Sequence, residues 1–274
     1  MSLTTAALLI ALGAAIGLFG TLVGAGGGFI LTPALLLLYP NDNPATITAI
    51  SMLVVFFNAL SGSVAYARQR RIDYRSGIAF ALATLPGAIA GAVLVTLAPR
   101  RLFDAVMAVL MGALATWLVV GARSVSLSRG VHPGTPRRIT DREGTTHRYT
   151  VPVARGVAFS VVVGFVSSFL GIGGGVIHVP LLIGALGFPV HIATATSHFV
   201  LANMSAVGTV THLVAGDFPG GTGLHRAAAL SIGVLMGAQA GAVLSQRVHG
   251  VVIQRLLALA LAGLAIRLFF LVAG

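Results

Sequence analysis

The 274-residue chain is 57% hydrophobic and 8% charged, with a formal charge of +11 and no cysteine. A soluble domain holds about 25% charged residues, so this composition, with a mean hydropathy of +0.98, excludes a fully water-facing surface and requires a lipid-facing one. The missing cysteine removes disulfide and thiolate chemistry, and because all 17 basic residues are arginine, a lysine nucleophile or Schiff base is excluded as well.

Ten hydrophobic segments follow in chain order: residues 3–23, 28–39, 45–66, 76–97 and 102–121, then 153–170, 175–187, 190–214, 227–246 and 251–273. The opening "MSLTTAALLIALGAAIGLFG" has no basic leader region, so it reads as the first membrane segment and not as a cleaved signal peptide. A spanning helix takes about 20 apolar residues. The segments starting at 28 and 175 are shorter, and "FILTPALLLLY" is not expected to cross the bilayer fully. Between the two sets of five, residues 122–150 hold six arginines and two acids among Pro, Gly, Ser and Thr. They show no apolar periodicity and are predicted to form a mobile, basic connecting loop.

The two sets repeat. A shift of 147 places Gly17, Gly24, Gly26, Gly27, Gly28, Ile30 and Pro33 on Gly164, Gly171, Gly173, Gly174, Gly175, Ile177 and Pro180. "GAIAGAVL" at 87–94 matches "GAQAGAVL" at 237–244. Order and spacing are kept, which indicates internal duplication. The expected fold is therefore all-α: a polytopic membrane protein of two homologous repeats, residues 1–121 and 151–274, joined by 122–150. Loop 68–75 holds four arginines, its counterpart near 216–226 only one. The positive-inside rule puts 68–75 and 122–150 in the cytoplasm of a bacterial-type cytoplasmic membrane. Five passes per repeat invert the halves and place the counterpart loops on opposite sides, although Arg100 and Arg101 weigh mildly against this. An even count, with each glycine hairpin fused into one pass, gives parallel repeats instead. Arginines confined to such loops suit a membrane face and lipid contact, not a nucleic-acid partner.

The stretches "VGAGGGFILTP" from Val23 and "LGIGGGVIHVP" from Leu170 pose the chemical question. Each glycine costs a helix about 1 kcal/mol relative to alanine, and inside lipid irregular backbone survives only where protein or a polar cavity surrounds it. A helix broken there exposes N–H groups, and the next helix starts with its positive dipole end at the break. Such an end binds anions without a basic side chain, and paired broken helices in two repeats point to a transporter's substrate site. The candidate backbone donors are Gly24, Gly26, Gly27 and Gly28 with Gly171, Gly173, Gly174 and Gly175. Gly13, Gly17, Gly20, Gly24 and Gly28 also form small-xxx-small patterns, whose simpler meaning is close helix packing.

Polar side chains near the breaks are candidates to complete an anion's coordination: Ser51 and Asn58 in the third segment, and Thr194, Ser197, His198 and Asn203 in its counterpart. For each hydroxyl the alternative is a bond back to its own helix. His178, also a candidate ligand, joins His198 and His212 as a possible proton carrier, since no carboxylate lies deep in a span. A neutral, hydrogen-bonded histidine is the alternative. No thiol or carboxylate set accompanies the histidines, so neither a metal nor a cofactor is expected. The glycine runs lack the Lys-Ser/Thr of a P-loop, and no G-x-S-x-G element occurs, so an enzyme is not expected.

"GIGGGVIHVPLL", then "GFPVHIATATSHFVLA", then "GTVTHL", resembles the TauE/SafE sulfite exporter family, also called TSUP. "GAGGGFILTPALLLL" resembles the family's first repeat less completely. The resemblance covers nearly all of the chain except 122–150. It implies a transporter of sulfite or a related small organosulfur anion such as a sulfonate or thiosulfate, with proton or ion coupling open. The first repeat has Leu31 and a nearby Ser51 where the second has His178 and His198. The reading that combines residues and resemblance is a secondary carrier, probing its anion between the two breaks as one repeat moves against the other. A passive anion channel is the alternative, and an intramembrane metal-dependent hydrolase using the three histidines a more distant one.

Overall fold

The computed structural model describes residues 2–124, 134–218 and 221–249, together with 251–253, 255, 256, 259, 260, 262, 263 and 266. In chain order the elements are α1 (Leu3–Val23), α2 (Gly28–Leu38), α3 (Pro44–Arg68), α4 (Tyr74–Leu94) with a 3-10 turn at Val95–Leu97, and α5 (Arg100–Ser124). Then come β1 (Thr135–Thr140), β2 (Thr146–Val151), α6 (Val153–Leu170), α7 (Gly175–Gly184), α8 (Val190–Ala215) and α9 (Thr222–Arg247). Among the described residues, α1, α3, α4, α6, α8 and α9 are each long and apolar enough to cross a membrane. Side chains such as Leu82, Val162, Val214 and Met236 point outward, and the molecule is an integral membrane protein. The tenth expected segment, 251–273, falls largely outside the described residues.

The ends of the helices follow from the chemistry of their caps. The Asn43 side chain accepts the Thr46 N–H at 2.7 Å, with Pro44 opening α3. The Asp73 side chain accepts the Ser76 N–H at 3.1 Å and starts α4. Each satisfies one of the donors a helix start leaves free. α2 and α7, of 11 and 10 residues, reach about 17 and 15 Å, roughly half of a bilayer core of about 30 Å.

Small residues let the long helices approach to backbone contact, as lipid-embedded helices require. On α1 and α9, Gly13 faces Leu230, Gly17 faces Val234, and Gly241 faces Leu18, so these helices run parallel. On α4 and α6, Gly156 meets Phe80, Gly164 meets Thr84, and Gly91 meets Phe165 and Phe169, again in parallel. α3 and α8 run antiparallel between these pairs. The Asp73 N–H, just past α3, donates to Thr196 Oγ1 near the start of α8 at 3.0 Å, while Gly223, beyond α8, lies against Thr46 and Ile50 near the start of α3.

Among its described residues, the mobile, basic loop expected at 122–150 holds the end of α5 and a β-hairpin. α5 continues to Ser124, and Thr135–Thr140 pairs antiparallel with Thr146–Val151, Arg138 opposite Arg148. Asp141 closes the turn by accepting N–H bonds from Glu143 and Thr145 at its side chain, with Gly144 at φ 87°. Alternate residues of the hairpin face inward, and Ile139, Tyr149 and Val151 join a cluster with Phe80 and Phe188. Three ionic contacts pin it to the α3–α4 connection: Arg71 to Glu143 at 3.0 Å and to Asp141 at 3.7 Å, and Arg137 to Asp73 at 3.4 Å. Arg71 is therefore buried.

Candidate functional site

Both glycine runs break their helices. α1 ends on Gly24 (φ 79°) and α2 begins after Gly26 (φ 74°) and Gly27 (φ 80°). α6 ends on Gly171 (φ 66°) and α7 begins after Gly173 (φ 76°) and Gly174 (φ 65°). These are left-handed conformations that side-chain-bearing residues resist. Residues 21–29 and 170–176 are all buried.

The two breaks touch. A Cβ on Gly28 would stand 2.7 Å from Ile172 O, and one on Gly175 would stand 2.5 Å from Gly24 O and 2.7 Å from Ala25 Cα. The surrounding contacts recur in pairs across the two halves. Gly24 meets Thr194 and Gly171 meets Thr48; Gly26 meets Leu201 and Gly173 meets Val55; Gly62 meets His198 and Gly208 meets Met52. Each break thus rests on the long central helix of the other half.

The carbonyls of the breaks are held. Ser51 Oγ donates to Gly171 O at 2.6 Å, with Thr32 Oγ1 2.8 Å from the same oxygen, and Ser197 Oγ donates to Gly24 O at 3.3 Å. The N–H groups that follow are paired only in part, with Gly175 N–H donating to Gly173 O at 2.7 Å. The N–H groups of Ile30 and Leu31 reach Gly27 O, and those of Ile177 and His178 reach Gly174 O. Among the described residues no acceptor lies on the N–H groups of Gly27, Gly28 and Phe29, or on those of Gly173, Gly174 and Val176. Buried backbone donors without a partner are rare, and here six of them gather at two facing helix starts. Next to each set is a neutral side chain that also lacks a partner. Asn58 Nδ2 is 3.6 Å from where a Gly27 Cβ would be, and Ser167 Oγ is 3.0 Å from where a Gly174 Cβ would be.

A buried chain of polar groups flanks the first break. Thr21 Oγ1 donates to Asn58 Oδ1 at 3.1 Å and is 3.3 Å from His198 Nε2; Tyr66 OH donates to Thr21 O at 2.7 Å. The Tyr66 and His198 rings meet edge to face, with centroids 5.5 Å apart. Thr21, Thr32, Tyr66 and Ser167 lie beside the breaks and are not among the residues expected there. Their only signal was a polar group in an apolar segment.

The other expected residues divide. Thr194 packs on Gly24 through its backbone and methyl group, but its hydroxyl bonds back to Val190 O at 2.9 Å. Asn203 is not brought to the breaks: it is exposed, donates to Phe199 O at 2.8 Å, and lines an apolar groove of about 530 Å³ with Phe56, Leu60 and Tyr74. One helical step separates it from Met204, which does face Gly174. His178 is 3.3 Å from Ser160 Oγ and edge-on to Phe80. His212 Nδ1 is 2.8 Å from Asp217 Oδ2. The three histidines have separate surroundings, and among the described residues no group of three His, Cys, Asp or Glu side chains could hold a metal ion.

Comparison with known proteins agrees with this architecture. Residues 9–268 match the family model described as sulfite exporter TauE/SafE. The chain is 30% identical over 248 residues to the "Probable membrane transporter protein YunE" of Bacillus subtilis, covering 88% of this chain and 89% of that one. It is 27% identical over 212 residues to the "Probable membrane transporter protein MJ0441" of Methanocaldococcus jannaschii, covering 76% and 72%. A "Probable membrane transporter protein" of Xylella fastidiosa is 25% identical over 212 residues, covering 77% and 76%. No solved structure matches the chain.

Proposed function

The chain belongs to the sulfite exporter TauE/SafE family, and from that premise we propose that this membrane transporter carries sulfite or a related small organosulfur anion, such as a sulfonate or thiosulfate. The observation that carries the proposal is the meeting of two broken helices at which six N–H groups have no partner among the described residues. Among the described residues, the side chains nearest the glycine runs are neutral, so the anion is held by oriented dipoles without a full counter-charge. That arrangement binds an anion and lets it leave. Gly27, Gly28 and Phe29 approach it from one half, Gly173, Gly174 and Val176 from the other, with Asn58 and Ser167 beside them. Ser51, Thr32 and Ser197 hold the carbonyls that would otherwise repel it.

The breaks are enclosed on all sides, which favours a carrier over an open pore. Equivalent contacts on antiparallel α3 and α8 support inverted repeats, with the arginine-rich end facing the cytoplasm. Opening to one side then means one half moving against the other about the touching breaks. His198 joins the first break through Thr21, which supports a role for this histidine in passing a proton with the anion.

The test is flux of sulfite, thiosulfate and a sulfonate into proteoliposomes. Saturable flux of at least one above empty vesicles is expected. Gly174→Leu, which forces a side chain onto Ser167 and Met204 at a left-handed position, is expected to abolish it with the protein still inserted. Flux indistinguishable from empty vesicles for all three would overturn the substrate class. Full activity of the variant would overturn the site.

A further inference from the structure

The outward face of the hairpin carries chemistry that the membrane site does not use. Strand register sets Arg138 directly opposite Arg148, both exposed. Like charges so placed destabilise a hairpin unless something anionic lies between them. Their neighbours on that face are Pro136, Thr140, Thr146 and Thr150, with no acid among them. The hairpin's own acids are engaged on the inner side or at the turn: Asp141 and Glu143 with Arg71, while Asp73 beneath takes Arg137.

A cleft of about 530 Å³ opens between Arg137, Arg138, Arg148, Tyr149, Thr150 and Pro136. The Arg137 side chain in its wall is only 8% exposed. Its Nε is spent on Asp73 and Ser76, but its buried Nη1 has no partner. Just beyond Thr150, α6 starts without a capping side chain and without an acid in its first turn, so its positive end is uncompensated. Arg137, whose Nη1 is orphaned, thus lines one cleft with the two opposed arginines, and the open start of α6 follows Thr150 closely in the chain.

We propose that this cleft is a second anion site, separate from the glycine breaks, that takes a phosphate-type oxyanion bridged between Arg138 and Arg148 and reaching Arg137. Arginine forks suit a tetrahedral oxyanion, which accepts two parallel N–H bonds from each. The phosphate is either a phospholipid headgroup or a free cytoplasmic ion. Arg148 precedes the start of α6 by five residues, at most about 16 Å of extended chain, so the cleft lies close to the first residue of a membrane-spanning helix.

Two arms separate the sources. The full chain, purified in neutral detergent, is titrated with phosphatidylglycerol against phosphatidylcholine, counting retained lipid by native mass spectrometry. It is also titrated with inorganic phosphate at constant ionic strength, following thermal stability. Saturable binding is expected in at least one arm: the first identifies a headgroup, the second a free ion. R138Q/R148Q should weaken it about tenfold or more, and R101Q, an exposed arginine on α5, should leave it unchanged. Absence of saturable binding in both arms overturns the proposal. So does wild-type binding by R138Q/R148Q, or an equal loss in R101Q.

Discussion

Gly28 and Gly175 are where the two halves meet backbone to backbone, and neither neighbour can yield as a side chain would. A methyl group on Gly175 lies 2.5 Å from Gly24 O, so Gly175→Ala must separate the breaks. Overpacking of this kind costs about 1–3 kcal/mol. A lower melting temperature in detergent and loss of most flux are expected together, and wild-type flux would show that the contact is dispensable. Asn58 tests the anion itself. Its Oδ1 is taken by Thr21 and its Nδ2 is free, so Asn58→Leu should raise the KM for the transported anion about tenfold, the size of one buried hydrogen bond. Met204→Leu, at the equivalent place against Gly174, should change it little; equal effects would remove the amide from the site. The glycine runs were legible in the sequence because few residues other than glycine accept three left-handed positions in four. Asn203 was included only because it is polar and close in sequence. The face that meets the breaks runs through Ser197, Leu201 and Met204, at i, i+4 and i+7, and Asn203 is about 100° off it. Thr21 and Thr32 carry no such sequence signal, because a hydroxyl in a membrane helix ordinarily bonds back to its own turn.

The hairpin shows how an element escapes a hydrophobicity pattern. Its inward positions include Arg137, Asp141 and His147 along with Ile139, Tyr149 and Val151, so the period of two is written in salt bridges as much as in apolar side chains. The helices were legible to within a few residues because lipid leaves them no other way to satisfy their backbone. Tyr149 gives the hairpin a measurable signature. Its hydroxyl donates to Asp73 Oδ2 at 3.0 Å, and burial first, then the Asp73 charge, raises its pKa above that of a free tyrosine. The folded state therefore keeps a proton that the unfolded chain loses near pH 10. The stabilisation is complete below about pH 10 and declines as pH rises beyond it. Melting temperatures taken from about pH 8 to pH 11 should fall more steeply for the wild type than for Tyr149→Phe. Parallel curves would mean that the phenol does not hold the hairpin down.

At the scale of the whole molecule, the long central helices α3 and α8 run antiparallel, so whatever lies past the end of one is on the opposite side from whatever lies past the end of the other. The hairpin covers the α3–α4 connection, with the Arg142 N–H donating to Gln69 O at 3.0 Å. At the far end, Arg226 near the start of α9 reaches Asp42 at 2.7 Å and stacks over the Tyr39 ring. Exposed arginines at 68, 70, 75, 138, 142, 148 and 155 gather at the first end, and the positive-inside rule assigns that end to the cytoplasm. Because the chain has no cysteine, single substitutions report sidedness without a background. Thr145→Cys marks the hairpin turn and His225→Cys the far end; both positions are exposed. A membrane-impermeant thiol reagent added to intact cells should label His225→Cys alone, and both variants after permeabilisation. The reverse pattern would keep the halves inverted but put the arginine-rich end outside. Equal labelling of the two from one side would break the inversion, and with it the reading in which the touching glycine breaks are the pivot between two alternately open faces.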